Sequence, residues 1–241
     1  MKGTSLLLVG LVALSVSTTS ADPITLPSGL APGSYYQLIF VTSDGTLGTS
    51  ANIADYNTFV NSELSPALTA LSTTWTAIAS TATVNAIDNA PVFAGVPVYN
   101  MDGQEVFTGS DGLYPMYSDT GFLNAPEFDE NGTDDPGIPV WTGSQPSGLG
   151  YPMVTMGAGF GLSIIGLDTP PQNPSPGFWI TDLYAPEALG MYSVYGLSGE
   201  IEVPAAPENG VPEPGTFGLL LAGVNALLLG KGIRTVCGRQ R

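Results

Sequence analysis

The spacing of apolar positions changes several times along the chain. Tyr35 to Ser43 (YYQLIFVTS) is a dense run of aromatic and β-branched residues closed by Asp44-Gly45, which predicts a strand ending in a turn. Further on, Ile53, Tyr56, Phe59, Val60 and Leu64 recur at spacings of three and four, the period of an amphipathic helix, with Ser50 or Asn52 available as its cap. Ser65-Pro66 then supplies an N-cap and a first helical position for a second short helix through ALTAL. From Trp75 the period drops to two. Trp75, Ala77 and Ala79 alternate, and TVNAI (Thr83 to Ile87) continues the pattern as strand. Val96, Val98 and Val106 on either side of Met101-Asp102-Gly103 predict a hairpin.

Residues 108–178 are rich in Gly, Pro, Asp and Asn, with short strand candidates such as Pro139 to Gly143. A loop region of that length in a compact domain is functional or mobile. Met191 to Val203 predicts a closing strand. The fold class expected from this order is α+β: one strand-rich domain with an N-terminal strand, one or two helices and long loops. With 31 Gly, 21 Pro and only 11% charged residues, the composition also favours a turn-rich, stranded body over a helical bundle.

The two ends follow other rules. Residues 1–21 carry Lys2, an apolar run from Leu6 to Val16, and small residues Thr19 and Ala21 ahead of Asp22. That is the plan of a secretory signal peptide cut between Ala21 and Asp22. The exported acidic domain then covers residues 22–203, and residues 204–210 form a Pro-rich linker. Residues 211–241 hold an apolar stretch read as a transmembrane helix over about 216–233, roughly enough to cross ~30 Å of hydrocarbon. Arg234, Arg239 and Arg241 follow it directly, which keeps that end in the cytoplasm and the domain on the far side of the membrane.

Charge sharpens this division. The five basic residues are Lys2, Lys231, Arg234, Arg239 and Arg241, and the chain has no His. All 21 acidic residues lie from Asp22 to Glu213, an interval with no cationic side chain. Such a body cannot neutralise phosphates, which excludes nucleic acid as a partner. It can form no internal salt bridge, so each carboxylate is solvated, hydrogen-bonded or bound to a cation. The only cysteine, Cys237, is in the tail, so the body has neither disulfide nor thiol chemistry.

Val211, Pro212, Glu213 and Pro214, followed by an apolar helix and an Arg-rich end, resemble the PEP-CTERM sorting signal of Gram-negative bacteria. That resemblance implies processing by an exosortase. The precursor is then anchored in the inner membrane with its domain on the periplasmic side, and the mature protein is released or moved to the cell surface, often in species that make exopolysaccharide. LIFVTS, ADYNTFV, VPVYNMDGQEV, VWTGS and YGLSGEIEV are similar to segments of a recurring set of cysteine-poor PEP-CTERM proteins. The same order of elements resembles, more distantly, bacterial C-type-lectin-like domains, from which this chain departs in having no disulfide pair.

Without His, Lys, Arg or Cys in the body, catalysis by imidazole, thiolate or amine is excluded, and only chemistry by paired carboxylates remains. Glu127 with Asp135 and Glu187 with Asp182 are examples of such pairs, without a distinguishing signature. The densest acidic run contains Asp129, Glu130, Asn131, Asp134 and Asp135, oxygen donors that suit calcium in kind, though their spacing is not that of an EF-hand. A solvated surface turn is the other reading. Trp141 and Trp179 flank loops, where an exposed indole would offer a stacking face to a sugar, whereas Trp75 lies in an alternating strand and belongs in the core.

The function expected is that of an exported cell-surface or extracellular-matrix protein. It would depend on signal peptidase, the general secretion machinery and exosortase, and it would bind or structure extracellular polysaccharide or protein partners. The alternative is a carboxylate-dependent carbohydrate-active enzyme.

Overall fold

A computed structural model describes residues 23–108, 122–134, 136–168 and 179–205. The stretches read from the sequence as signal peptide, transmembrane helix and sorting motif lie outside the described residues, as does Asp135. Among the described residues, no helix is long and apolar enough to cross a membrane.

The chain divides into two units. Among the described residues, the smaller joins Ala31–Ser34 to residues 202–205. There the Gly33 N–H donates to the Val203 carbonyl at 2.9 Å, and the Val203 N–H to the Ser34 carbonyl at 2.8 Å. The larger unit holds a mixed sheet. Its strands are β1 (Tyr35–Val41), β2 (Trp75–Ala77), β3 (Val98–Tyr99), β4 (Glu105–Phe107), β5 (Pro139–Trp141), β6 (Leu162–Leu167), β7 (Leu183–Pro186) and β8 (Ser193–Ser198), and its helices are α1 (Ile53–Glu63), α2 (Pro66–Ala70) and α3 (Ala86–Asn89). This is the strand-rich α+β domain that the sequence predicts.

The strand order is β4-β3-β1-β8-β5-β6-β7, with β2 also paired to β8. Strand β8 is the hub: it runs antiparallel to β1 and β2 and parallel to β5. All six of its residues are buried, as expected of a strand covered on both faces. The core packs Ile39, Val41, Val98, Val140, Tyr195 and Leu197 with Trp179 and Ile180. Helix α1 is seated by Tyr56 and Val60, and a Cβ at Gly196 of β8 would come within 2.9 Å of Val60.

The caps form as the sequence indicates. The Asn52 side chain accepts the Ala54 N–H at 3.3 Å, and Ser65 accepts that of Leu68 at 3.4 Å. The β3–β4 hairpin is antiparallel, and Asn100 Oδ1 accepts the N–H groups of Asp102 and Gln104 in its turn.

Three expectations are corrected. TVNAI does not extend the second strand. It turns at Asn85 and starts α3, where the Ala86 N–H finds the Ser80 hydroxyl at 2.8 Å instead of a neighbouring strand. The loop-rich stretch contains a full buried strand, β6, and β7 follows at Leu183. The closing strand starts at Ser193 and breaks at Gly199, whose N–H donates to the Thr74 carbonyl at 2.8 Å.

Candidate functional site

Among the described residues, the end of β5 organises a cleft of a size that can hold a small ligand. Past Trp141 the chain passes through Thr142, Gly143 and Ser144. The Ser80 N–H donates to the Thr142 carbonyl at 2.7 Å, and the Ser80 and Ser144 hydroxyls lie 2.8 Å apart. Gly143 has φ +59°, and a Cβ there would stand 2.4 Å from the Ser80 carbonyl oxygen and 2.7 Å from the Met156 nitrogen. Only glycine lets these backbones approach so closely in that conformation. The 80–85 turn and the 150–158 loop are thereby held face to face. Asn85 fixes their far end by accepting the Gly150 N–H at 3.0 Å.

Between them lies a cleft of about 380 Å³, within the range of roughly 300–1,000 Å³ usual for small-molecule sites. Its walls include Thr81, Asn85, Pro152, Met153, Thr155 and Ala158, and no lining side chain is charged. Thr81 is 2% exposed, and its hydroxyl is buried with no hydrogen-bond partner among the described residues.

One wall is a tight turn, closed by the Val154 N–H donating to the Tyr151 carbonyl at 3.1 Å. Pro152 takes its second position, and Met153 takes the third with φ +74°. Proline followed by positive φ is the type II pattern, in which glycine or asparagine ordinarily fills the third position. Methionine there costs on the order of 1 kcal/mol of backbone strain. That cost places an apolar side chain, 60% exposed, at the cleft.

No protein-family model matches the chain, and no curated protein matches it.

The residues singled out from the sequence lie elsewhere. Neither tryptophan offers a stacking face. Trp141 is fully buried, with its Nε1–H donating to the Thr46 carbonyl at 2.9 Å and its ring 4.9 Å from that of Tyr192. Trp179 is 2% exposed and packed among Phe107, Phe122 and Tyr195, stacked on Phe122 at 6.2 Å. Flanking loops placed both near the surface in sequence, but their side chains point inward to fill the core. Trp75 is buried as expected, 5.2 Å from the ring of Phe40.

The acidic run folds on itself. Asp129 Oδ1 accepts the N–H groups of Asn131 and Thr133 at 2.9 and 2.7 Å. Glu130 is 3% exposed and accepts the Ser43 N–H, the Ser43 hydroxyl and the Asn131 amide at 3.0, 2.5 and 2.7 Å. These carboxylates therefore have protein donors, and Asp134 pairs with Phe128 across the turn. Among the described residues, no group of three acidic side chains is placed to hold a metal ion.

Of the carboxylate pairs, Asp182 and Glu187 bracket β7. An extended strand carries them roughly 16 Å apart with side chains on opposite faces, beyond the roughly 5–9.5 Å that glycoside hydrolysis uses. Glu187 is 4% exposed. Burial raises its carboxyl above the usual range, opposed by the backbone N–H groups of Ala158 and Gly157. Glu127 is also raised, by burial first and then by the Asp134 carboxylate.

Sequence reasoning missed the cleft because Thr81, Asn85 and Thr155 are ordinary residues in ordinary segments. The one signal was Tyr151-Pro152-Met153, a proline-led turn without the glycine that its third position favours.

Proposed function

We propose that the chain is an exported cell-surface or extracellular-matrix protein whose body is a binding or structural module for exopolysaccharide or protein partners. Its precursor is held in the inner membrane with the body on the periplasmic side, and an exosortase processes the C-terminal tag from Val211 onward. The lectin-like resemblance of the body belongs to the same proposal.

The observation that carries it is the order of charges and apolar runs. A secretory signal comes first, then a body without a single cationic side chain, then Pro212-Glu213-Pro214 at the head of an apolar stretch closed by arginines. This is a topology in which every positive charge remains on the cytoplasmic side. The body adds support of a plainer kind, since the hydrogen-bond partners of buried Glu130 and Gln37 are amides, hydroxyls and backbone, as a domain lacking cations requires.

Intact mass of the protein recovered from culture medium tests the reading. Loss of residues 1–21 and of the chain beyond the Pro-Glu-Pro region is expected, together with retention of the full tail in cells lacking exosortase. A reporter fused after Arg241 that proved periplasmic would overturn it.

A further inference from the structure

The cleft between the 80–85 turn and the 150–158 loop suggests a ligand chemistry. We propose that it is a subsite for a neutral saccharide unit, an assignment that rests on the extracellular binding role proposed above.

Charge narrows the ligand first. No lining side chain is ionised, so the cleft offers no partner for a charged group. An anion would also enter a body with 19 carboxylates and no cation, and Asp88, bonded to Asn85 at 2.8 Å, stands beside the rim. A cation would find neither a carboxylate nor an aromatic ring in the lining.

The remaining groups define what is accepted. Thr81 and Thr155 contribute hydroxyls, and Asn85 contributes an amide already fixed in place by Gly150 and Asp88. Thr81 lines the cleft, and its hydroxyl is buried without a partner among the described residues, where a polar group costs about 1–3 kcal/mol until it finds one. A small rotation of the Thr81 side chain toward the cleft would let a ligand hydroxyl, or a bridging water, satisfy it. Pro152, Met153 and Ala158 add apolar surface to the same lining. A lining that combines hydroxyl- and amide-bearing residues with hydrocarbon suits a pyranose, whose C–H face packs on apolar surface while its edge hydrogen-bonds. The strained turn at Met153 fits this role, because glycine would relax the backbone but remove its apolar surface.

Saturation-transfer NMR tests the assignment on the full-length protein in a non-glycosidic detergent. The probes are the methyl glycosides of glucose, galactose and mannose, with methyl glucuronoside as the charged control. Transfer to at least one neutral glycoside is expected, with binding of the glucuronoside about tenfold weaker or lost. Met153→Gly and Thr81→Val should each abolish transfer while Tm is kept or raised, since the first relieves strain and the second removes an unpartnered hydroxyl. Wild-type protein giving no transfer to any neutral glycoside would overturn the subsite. Undiminished transfer in both variants would also overturn it, by placing the sugar elsewhere. A negative result with protein that is still trimmed and released into the medium rejects the cleft alone, whereas protein that is never exported rejects the functional reading beneath it.

Discussion

The side-chain oxygen of Asn57 on α1 accepts the backbone N–H of Ala77 on β2 at 2.8 Å. Thr74 and Ile78 direct their ladder bonds to Gly199 and Tyr195, which leaves Trp75 and Ala77 facing away from β8. Their outward groups are taken by amides: Asn61 donates to the Trp75 carbonyl at 2.9 Å, and Asn89 to that of Ala77 at 2.7 Å. Asn57 and Asn89 also bond each other at 3.0 and 2.9 Å. Three asparagines thus stand where a neighbouring strand would be. Asn57→Ala strands the buried Ala77 N–H and should cost about 1–3 kcal/mol in urea denaturation. A loss below a few tenths would show that the amide is not needed there.

Stability should fall as pH rises, the reverse of ordinary acid lability. The carboxyls of Glu63, Glu127 and Glu187 are all raised, each chiefly by burial. A carboxyl raised on folding binds its proton more tightly in the native state. Its contribution is complete below the unfolded value near 4.5 and is lost as pH climbs through the folded value. Tm measured from mildly acidic to neutral pH should therefore decrease, and Glu187→Gln should flatten the slope.

Gly143→Ala should destabilise by roughly 2 kcal/mol or more, combining positive φ with a clash against backbone. Because the Ser80 carbonyl and Met156 nitrogen are the atoms in the way, no side chain can rotate to relieve it. Thermal unfolding of the variant checks the size of the effect.

Trp75, Trp141 and Trp179 are 3%, 0% and 2% exposed. Native fluorescence should peak on the short-wavelength side and resist iodide until the protein is denatured. Quenching of a substantial fraction in the native state would contradict the burial of these rings.

How much could be read in advance depended on the kind of signal. β1, α1, α2 and the hairpin were legible because period, cap and turn agreed at each. β6 was hidden because LSIIGL lacks alternation, being buried on four successive residues, and sits among glycines. β7 pairs only with β6 in the strand order, and three of its four residues are exposed, so it leaves no apolar pattern. Asn85 misled because an asparagine in an alternating run is equally a turn, and only the Ser80 hydroxyl waiting for the Ala86 N–H decides between them. The tryptophans misled for another reason: proximity to loops says nothing about which way an indole points.

A body stitched together by asparagines, serines and threonines contains no attraction between opposite charges for dissolved salt to weaken. What salt can screen is the mutual repulsion of its carboxylates, with a Debye length that shrinks from about 10 Å at 0.1 M to about 3 Å at 1 M. Brine should therefore tighten this protein, and transfer to fresh water should loosen it.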